Sequence, residues 1–398
     1  MNRVLSLLGI SVRALLAIGL LVIASASGGN GMRIYGNPNH FVIQQFKWLG
    51  LSLIVMFVAA SFNYRKWRDY SALTWGAYAV VVLLLAAVFL FEPTKGSRRW
   101  IVLGSALRLQ PSEFAKLLAV IAPAVFIDRA GWRIELFWKG AFRAVAIVAL
   151  LMVLVVAEPD FGATMVIALA GGTMFLLSGM KVMHMFLMGG LAAVGVGTLL
   201  VFNANRMSRI AAWLPKWVSS SLGVTPEMIA DKGDKGFQLN QALVAIRNGG
   251  LTGSPGLFRS NQKLAYLPEA HTDFIFAIGA EEWGLVFSGV LLLLFAIIFV
   301  CGIIISMRAP DRFGRLIAFG MTFLVVFQAT FNMGVVSGIF PTKGMALPFI
   351  SYGGTNLMAA MAAIGFLFNV GRQIELPKPR PRSTISANFS EEGVSQNV

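Results

Sequence analysis

The chain has 398 residues, of which 57% are hydrophobic and 13% charged, with 33 Lys and Arg against 18 Asp and Glu for a formal net charge of +15. Soluble domains carry about 25% charged residues, so this composition excludes an ordinary soluble enzyme and a disordered protein; the single cysteine, Cys301, excludes a disulfide scaffold. The cations are scattered between apolar runs rather than gathered in one polar domain. We therefore expect anionic lipid or an anionic ligand as partner, and no nucleic acid.

Ten apolar runs predict transmembrane helices, because a hydrocarbon core of about 30 Å takes roughly 20 helical residues. The runs lie near residues 11–27, 41–62, 72–91, 112–128, 143–157, 162–178, 182–203, 274–305, 314–337 and 355–370. The fifth and sixth are short and nearly contiguous, which predicts a hairpin or a partly re-entrant pair. The sequence thus predicts an all-α polytopic membrane protein of about ten transmembrane helices, with a large extracytoplasmic loop, 204–272, before helix 8.

Basic residues in short loops indicate the cytoplasmic side of a membrane protein. They occur in the loops 63–71, 129–142 and 306–313 and in the C-terminal tail. This distribution predicts a cytoplasmic N-terminus and, with an even number of spans, a cytoplasmic C-terminus. We expect residues 1–371 to form one membrane domain. Residues 372–398, which are proline-rich and then polar, are expected to form a disordered cytoplasmic tail.

The loop 92–111 departs from this charge rule. It is short, yet it carries Lys95, Arg98, Arg99 and Arg108 against the single acid Glu92, on the side predicted to face outward. Two interpretations are about equally supported. The cations could form a site for a polyanion such as a diphosphate, or they could pair with lipid headgroups.

The segment 340–355 contains two prolines and three glycines, which exclude a continuous helix. Irregular backbone near a membrane is buried in protein or lines a cavity. We therefore expect this segment to form a cavity wall, with Lys343 pointing into the cavity.

Ionisable residues at the predicted helix ends are costly near a membrane and are therefore candidate functional groups. Glu113 and Lys116 are three residues apart and are expected to pair on one helix face, either as a packing contact or as part of a ligand site. Glu158 and Asp160 flank Pro159. Asp160 could cap the next helix, or the two acids together could hold a divalent cation.

His271, Thr272 and Asp273 follow a polar loop and immediately precede the longest apolar run. Thr272 or Asp273 could be the N-cap of that helix. Alternatively, Asp273 is a carboxylate partly removed from water and able to act as a general base. Glu281 and Glu282, further along the same run, are either functional groups or packing anchors.

Several short motifs occur in a fixed order along the chain. They are Arg98-Arg-Trp-Ile101, Gln110-Pro-Ser-Glu-Phe-Ala-Lys116, Glu158-Pro-Asp-Phe-Gly162, Gln262-Lys-Leu264, Leu267-Pro-Glu-Ala-His-Thr-Asp-Phe-Ile-Phe-Ala277, Asn332-Met-Gly-Val335, Pro341-Thr-Lys-Gly344 and Leu347-Pro-Phe-Ile-Ser-Tyr-Gly-Gly354. Together they resemble the SEDS family (shape, elongation, division and sporulation) over about residues 98–371. The Pro-Thr-Lys-Gly form is similar to the division branch and its sporulation relatives rather than to the elongation branch.

The resemblance implies a peptidoglycan glycosyltransferase that polymerises lipid II at the outer face of the cytoplasmic membrane. Asp273 matches the family's loop aspartate, which is implied to deprotonate the 4-hydroxyl of the acceptor N-acetylglucosamine. Attack at the anomeric carbon of the donor's N-acetylmuramic acid would invert that carbon and expel undecaprenyl diphosphate. Cations at family positions would stabilise the leaving group, alone or with a divalent cation such as Mg²⁺ or Mn²⁺; they are Arg98, Arg99, Lys116 and Lys343. Further cavity residues without a defined role are Glu113, Glu158, Asp160, His271 and Ser351.

The same resemblance implies partners and a location. The implied partners are lipid II, the undecaprenyl-diphosphate-linked glycan, a class B penicillin-binding transpeptidase that is FtsI-like, and other divisome proteins. The implied location is the bacterial cytoplasmic (inner) membrane at the division septum. Two alternatives stay open: a lipid II flippase or other transporter that uses the same cavity without chemistry, and a divisome scaffold without activity of its own.

Overall fold

The computed structural model describes residues 1–92, 98–103, 107–201, 234–253, 271–341 and 344–374. Its α-helices in these ranges are α1 (Asn2–Tyr35), α2 (His40–Ser61), α3 (Arg65–Asp69), α4 (Ser71–Ala87), α5 (Pro111–Ala130), α6 (Phe142–Ala157), α7 (Phe161–Leu177), α8 (Val182–Val201), α9 (Asp234–Gly249), α10 (Ile275–Arg308), α11 (Arg312–Val336) and α12 (Gly354–Gln373). Short 3₁₀ turns occur at Val88–Leu90 and Gly131–Glu135, and a π-helical turn at Phe137–Ala141 leads into α6. Strands β1 (Ile101–Leu103) and β2 (Leu107–Leu109) form an antiparallel hairpin.

The helices confirm the predicted helical membrane fold. Seven helical segments of the described chain are long and apolar enough to cross a bilayer: Asn2–Tyr35, His40–Ser61, Ser71–Leu90, Phe137–Ala157, Ile275–Arg308, Arg312–Val336 and Gly354–Gln373. The remaining predicted spans, 112–128, 162–178 and 182–203, coincide with α5, α7 and α8. The length and hydrophobicity of each apolar run therefore predicted the positions of these helices.

The first helix is longer than predicted at both ends, because it runs from Asn2 to Tyr35 rather than over 11–27. The small residues Ser25, Ser27 and Gly31, at and beyond the end of the predicted span, are buried in the bundle. The Ser27 hydroxyl donates to the Ile23 carbonyl at 2.6 Å, so its polar group is satisfied within the helix. Small polar residues of this kind allow close helix packing rather than ending the span.

Helix α12 lies at the centre of the bundle, in contact with α2, α5, α10 and α11. Small residues allow this packing. A Cβ at Gly365 would lie only 2.6 Å from the carbonyl oxygen of Met56 on α2. Close backbone approach is a main source of helix association in lipid, where there is no hydrophobic driving force between helices.

Helix α10 is broken at Gly284, whose φ of 69° and ψ of −159° are not helical. The turn after α9 fits into this break. The amide of Leu285 donates to the Gly250 carbonyl at 3.0 Å. A Cβ at Gly284 would also lie only 2.5 Å from the Leu251 carbonyl oxygen. Position 284 therefore requires glycine. The break bends α10 about nine residues after its N-terminus.

Helix α9 lies within residues 204–272, which were predicted as a large extracytoplasmic loop. Leu239, Ala242 and Ala245 are buried, and α9 packs against α10. Their spacing of three residues is typical of one helix face. This pattern was visible in the sequence, although the mean hydropathy of the segment is too low for a membrane span.

The loops 63–71, 129–142 and 306–313, predicted to share one side, lie at one end of the bundle, here called the base. Tyr64 joins two of the base loops: its hydroxyl donates to Asp311 Oδ2 at 2.7 Å. Asp311 also accepts from Arg65 Nε at 2.9 Å and, through Oδ1, from the Gly314 amide at 2.7 Å. The last bond caps the N-terminus of α11. The Asp311 carboxylate thus ties the loop after α2 to the loop before α11.

Asn369 completes the base on α12. Its amide donates to the carbonyls of Ala59, Ala60 and Phe62, at 3.1, 2.9 and 2.7 Å, and its oxygen accepts from the Tyr64 amide at 3.1 Å. One side chain therefore satisfies the carbonyls left unbonded at the C-terminal end of α2.

Candidate active site

The turn His271-Thr272-Asp273 lies at the other end of the bundle, here called the site end. The N-cap of α10 is Phe274, without a side-chain cap. The interpretation of Thr272 or Asp273 as the N-cap is therefore wrong. The helix begins at Ile275, later than an N-cap at either Thr272 or Asp273 would place it.

All three carbonyls of this turn accept hydrogen bonds. The His271 carbonyl accepts from the Tyr352 amide at 3.1 Å. The Thr272 carbonyl accepts from the Ser351 hydroxyl at 2.7 Å, and the Asp273 carbonyl from the Asn332 amide at 3.0 Å. The backbone on both sides of the Asp273 carboxylate is thus fixed by a loop and by α11.

The loop that holds this turn spans residues 344–353 and begins after Lys343, which lies outside the described residues. Within the loop, the Ser351 hydroxyl accepts from the Leu347 amide at 2.8 Å. Phe349 is buried and has a φ of 66°, a conformation that costs about 1–3 kcal/mol for a residue other than glycine. The surrounding packing therefore imposes the course of this loop, as expected for a cavity wall.

Gly344 lies directly against the candidate base. A Cβ at this position would collide with Asp273 Oδ2. Asn332 donates both to the Asp273 backbone carbonyl and to the Met345 carbonyl. Gly344, which lies against the Asp273 carboxylate, and Asn332, which holds its backbone, are together called the seat of Asp273.

A row of buried polar residues extends from this seat into the bundle. Lys116 forms an ion pair with Glu113 at 2.7 Å, as the sequence predicted, and donates to Gln328 Oε1 at 2.6 Å. Gln328 in turn donates to the Ala346 carbonyl at 2.9 Å and to Asn356 Oδ1 at 2.8 Å. The Lys116 ammonium is therefore linked through Gln328 to the loop that holds Asp273.

This polar row lines a small open cavity. One wall is polar, with Glu113, Lys116, Gln328 and Asn356, and Pro348 of the loop lies among the lining residues. The remaining lining is apolar: Leu117, Leu324, Val325, Ala359, Ala360 and Ala363. The cavity therefore has one polar wall and one apolar wall.

Asp160 performs the predicted capping role. Its Oδ1 accepts from the Ala163 amide at 3.2 Å at the N-terminus of α7. Its Oδ2 accepts from Gln110 Nε2 at 3.1 Å and from the Ser112 hydroxyl at 3.4 Å. Asp160 thus connects the start of α5 to the start of α7 at the site end.

Two predicted cations lie just before β1. Arg98 is exposed and donates to the Phe89 carbonyl at 3.0 Å, while Arg99 donates to the Pro159 carbonyl at 3.0 Å. Arg99 therefore reaches the turn between α6 and α7, beside Glu158. Both guanidinium groups keep further donors beyond these single carbonyl bonds.

Some buried polar atoms at the site end have no hydrogen-bond partner among the described residues. They are both carboxylate oxygens of Glu158, Arg99 Nε, Asn332 Oδ1 and Asn356 Nδ2. Glu158 is fully buried. Such groups are costly unless a ligand, a proton or another part of the chain completes them.

Asn332, Gln328 and Asn356 have structural roles at the site that the sequence analysis did not assign. Gln328 and Asn332 are four residues apart in an apolar helix, a spacing that places both on one face. Polar residues with this period inside a membrane span are a signal for a site, and it was available from the sequence.

The sequence suggested a site for a divalent cation at Glu158 and Asp160. Within the described residues, no group of three or more His, Cys, Asp and Glu side chains is placed to hold a metal ion. Asp160 uses its oxygens for the bonds given above. We assign no step to a metal.

The fold and site define a polytopic helical membrane protein with a carboxylate seat and cations at one end of the bundle. A family model described as "Cell cycle protein", which represents FtsW, RodA and SpoVE, matches residues 6–375. The chain therefore belongs to this family, which confirms the predicted SEDS membership.

Curated relatives cover nearly the whole chain. A probable peptidoglycan glycosyltransferase FtsW from Coxiella burnetii is 35% identical over 365 residues, covering 91% of this chain and 94% of the relative. The FtsW of Marinobacter nauticus is 38% identical over 90% of this chain and 86% of its own length. Stage V sporulation protein E of Bacillus subtilis is 34% identical, covering 92% and 96%. These relatives agree with the predicted similarity to the division and sporulation branches.

Solved structures agree with the fold. A chain from a study entitled "Structural coordination of polymerization and crosslinking by a peptidoglycan synthase complex" matches with a TM-score of 0.71 and 26% identity, covering 93% of this chain and 98% of that one. The rod shape determining protein RodA of Thermus thermophilus matches with a TM-score of 0.65 and 25% identity, covering 93% and 97%.

Proposed function

We propose that this chain is a peptidoglycan glycosyltransferase of the FtsW type, which polymerises lipid II into glycan strands at the outer face of the cytoplasmic membrane during cell division. One observation carries the proposal. Hydrogen bonds to the carbonyls of Thr272 and Asp273 position the Asp273 carboxylate at the site end. The same end contains buried polar atoms that have no hydrogen-bond partner among the described residues. The names of the relatives supply the reaction class.

Asp273 acts as the general base. It takes the proton from the 4-hydroxyl of the acceptor N-acetylglucosamine, and the freed oxygen attacks the anomeric carbon of the donor N-acetylmuramic acid. The new glycosidic bond forms as the bond to the diphosphate breaks, and the anomeric carbon inverts. The proton stays on Asp273, and undecaprenyl diphosphate leaves with the bonding electrons.

Cations at the site end stabilise the leaving diphosphate, because negative charge develops there as the bond breaks. Arg98 and Arg99 are suited to this role, since each spends one donor on a carbonyl and retains others. Lys343 is proposed for the same role from its position in the sequence, next to Gly344.

For Lys116 we propose a positioning role beside the one implied by the family resemblance. Two of its three ammonium donors go to Glu113 and Gln328. We assign it as a positioning residue, which holds Gln328 and through it the loop at Ala346. Ser351 and Asn332 act in the same way on the turn that carries Asp273.

The proposed partner is a class B penicillin-binding transpeptidase, FtsI-like, within the divisome. Support comes from the structural neighbour, whose title describes polymerization and crosslinking by one synthase complex. The chain is a multi-pass membrane protein. We further propose that the base and both termini face the cytoplasm, that residues 1–371 form the membrane domain and 372–398 the tail, and that the protein acts at the septum.

A lipid II flippase is the second candidate. A transporter needs polar groups accessible from both membrane faces in turn. At the base, Asp311 and Asn369 are bonded to backbone and side chains of adjacent segments. Among the described residues, most buried polar atoms without a hydrogen-bond partner lie at the site end, whereas Gln373 Oε1 and His184 Nδ1 are such atoms at the base. This asymmetry favours chemistry at one face over passage through the bundle.

The test is polymerisation of fluorescently labelled lipid II by the full chain together with its cognate transpeptidase, comparing wild type with Asp273→Ala. We expect polymer from wild type and a loss of about 10²- to 10⁴-fold in the variant, the usual contribution of a general base. Equal abundance and equal complex formation are the controls. Unchanged polymer in the variant would overturn the assignment of Asp273. Lipid II transport into the opposite leaflet by a wild type that makes no polymer would favour the flippase.

A further inference from the structure

Five aromatic rings form a continuous cluster beside the Asp273 turn. Tyr35, at the end of α1, stacks on His40, at the start of α2, with 3.7 Å between ring centres and 7° between ring planes. Phe41 lies at the middle of the cluster. Its ring centre is 5.8 Å from Tyr35, 4.7 Å from His271 and 5.2 Å from Tyr352.

The rings of the cluster differ in solvent exposure, and packing in the core would not explain an exposed ring. Phe41 is buried and anchors the cluster, as expected for an apolar ring. Tyr35, in contrast, is 52% exposed although one of its faces is covered by His40. The structure therefore presents a supported aromatic surface outward, at the same end of the bundle as Asp273.

Sugar rings bind to such surfaces. The axial C–H groups of a pyranose carry partial positive charge, and the face of an aromatic ring carries partial negative charge. The tyrosine hydroxyl and the imidazole add hydrogen-bonding groups at the edge of the surface. A tyrosine stacked on a histidine is thus suited to one face of a saccharide.

We propose that Tyr35 and His40 form a stacking platform for a sugar unit of the glycan strand beside the Asp273 base, a saccharide subsite built from the connection between α1 and α2. The proposal rests on the proposed function and deepens it.

The position of the platform fits this role. The His271 ring belongs to the turn that carries Asp273, and the Tyr352 amide is bonded to the His271 carbonyl at 3.1 Å. Two ring-to-ring steps, of 4.7 and 5.8 Å, lead from His271 through Phe41 to Tyr35. A sugar held at Tyr35 therefore lies two ring contacts away from the turn that carries Asp273.

The electrostatics of Tyr352 link the platform to a cation. Burial raises the pKa of Tyr352, the Tyr35 hydroxyl raises it further, and Arg108 lowers it. Arg108 and Tyr35 are therefore both close enough to act on this phenol. Arg108 lies on the β-hairpin, whose end is fixed to α12 through the Thr355 hydroxyl, which donates to the Arg108 carbonyl at 3.3 Å.

A girdle of aromatic residues at the lipid headgroups is the other common reason for an exposed tyrosine. Tyr70, at the base, is 64% exposed and is not part of the site. It therefore serves as a matched control, since its loss removes an equally exposed ring at the other end of the bundle.

The experiment uses the full chain with its cognate transpeptidase and two readouts. One is binding of a soluble tetrasaccharide of alternating N-acetylglucosamine and N-acetylmuramic acid, measured without turnover. The other is the length of the glycan made from labelled lipid II. The variants are Tyr35→Leu, Tyr35→Phe, His40→Leu and Tyr70→Leu.

We expect Tyr35→Leu and His40→Leu to bind the tetrasaccharide about two- to tenfold more weakly, as for the loss of one aromatic stacking contact, and to make shorter strands. Tyr70→Leu should behave as wild type. Tyr35→Phe keeps the stacking ring and loses only the edge hydroxyl, so it should bind more tightly than Tyr35→Leu. Tetrasaccharide binding that is unchanged in Tyr35→Leu, or weakened equally in Tyr70→Leu, would overturn the platform. A wild type that binds the tetrasaccharide through Tyr35 but makes no polymer would support the platform and contradict the proposed polymerase.

Discussion

The two ends of the bundle use polar residues differently. At the base, the Asp311 carboxylate accepts three hydrogen bonds, and the Asn369 amide group satisfies three carbonyls and one amide. At the site end, Glu158, Asn332 and Asn356 each bury at least one polar atom without a partner in the described part of the chain, and at the base Gln373 and His184 each bury one. The Asp311 and Asn369 network stabilises the fold, whereas the clustered unpartnered groups at the site end are suited to a ligand.

The difference teaches that burial of charge is not by itself a sign of function. Asp311 and Asp160 are both largely buried acids at helix N-termini, and both are explained by capping and by their side-chain partners. Asp273 differs because its backbone carbonyl is bonded to Asn332 and its carboxylate lies directly against Gly344 of the loop.

The largest stability effect is expected from breaking the buried ion pair in the polar row. Lys116→Met leaves the Glu113 carboxylate buried without its cation, and both side chains are less than a tenth exposed. Removing one member of such a pair costs about 3–5 kcal/mol. Unfolding of the detergent-solubilised protein should show this loss, and the double variant Glu113→Gln, Lys116→Met should recover most of it. Equal stability of the single variant and wild type would show that the pair has no structural role.

Gly344→Ala is expected to affect activity strongly and stability little. The added methyl group would displace the Asp273 carboxylate, and a shift of about 1 Å at a reacting group costs on the order of 10²-fold in rate. The measurement is the initial rate of lipid II polymerisation. Gly172→Ala is the matched control, because a Cβ at Gly172 meets open space. Wild-type rates in Gly344→Ala would mean that Asp273 does not need this seat.

Ser351→Ala should have an intermediate effect. The change leaves the Thr272 carbonyl and the Leu347 amide without their common partner, at about 1–3 kcal/mol for unsatisfied buried groups. We expect a lower melting temperature together with a reduced polymerisation rate, because the same bonds hold the turn. Ser351→Thr, which keeps the hydroxyl, should retain more of both. A rate loss without any loss of stability would instead indicate direct contact of Ser351 with substrate.

The smallest expected effect is the pH dependence of the stability that Asp311 contributes at the base of the bundle. Burial by itself would raise the pKa of Asp311, but bonds from Tyr64, the Gly314 amide and Arg65 lower it below its usual value of 3.8. A carboxyl whose pKa is lower when folded contributes stability above its unfolded pKa and loses that contribution as pH falls through the folded value. The difference in melting temperature between wild type and Asp311→Asn should therefore be constant above about pH 5 and shrink in more acid solution. A difference that grows on acidification would contradict the assigned bonds.

The sequence predicted the helices well and the site in part. Span length follows from bilayer thickness, so the bounds of α11 and α12 came within a few residues of the structure. The ion pair of Glu113 and Lys116 followed from helical spacing alone. The motifs at Asp273 and at residues 344–354 were found separately, and the structure brings the two segments together through Ser351 and Tyr352.

Other features required the tertiary structure. The break at Gly284 depends on the turn after α9 packing against α10, which no local pattern predicts. The β-hairpin has only three residues in each strand, too few for a periodic signal. The stack of Tyr35 on His40 depends on the direction in which α2 leaves α1. Lys343 lies outside the described residues, so its direction into the cavity stays a prediction.

The central claim is that Asp273 serves chemistry and that Asp311 serves the fold. The most direct test measures lipid II polymerisation and the melting temperature of Asp273→Asn and Asp311→Asn side by side, each in complex with the cognate transpeptidase. We predict that Asp273→Asn melts like wild type and makes about 10²- to 10⁴-fold less polymer, while Asp311→Asn melts at lower temperature and polymerises normally. Normal polymerisation by Asp273→Asn, or loss of polymer in a stably folded Asp311→Asn, would contradict the account.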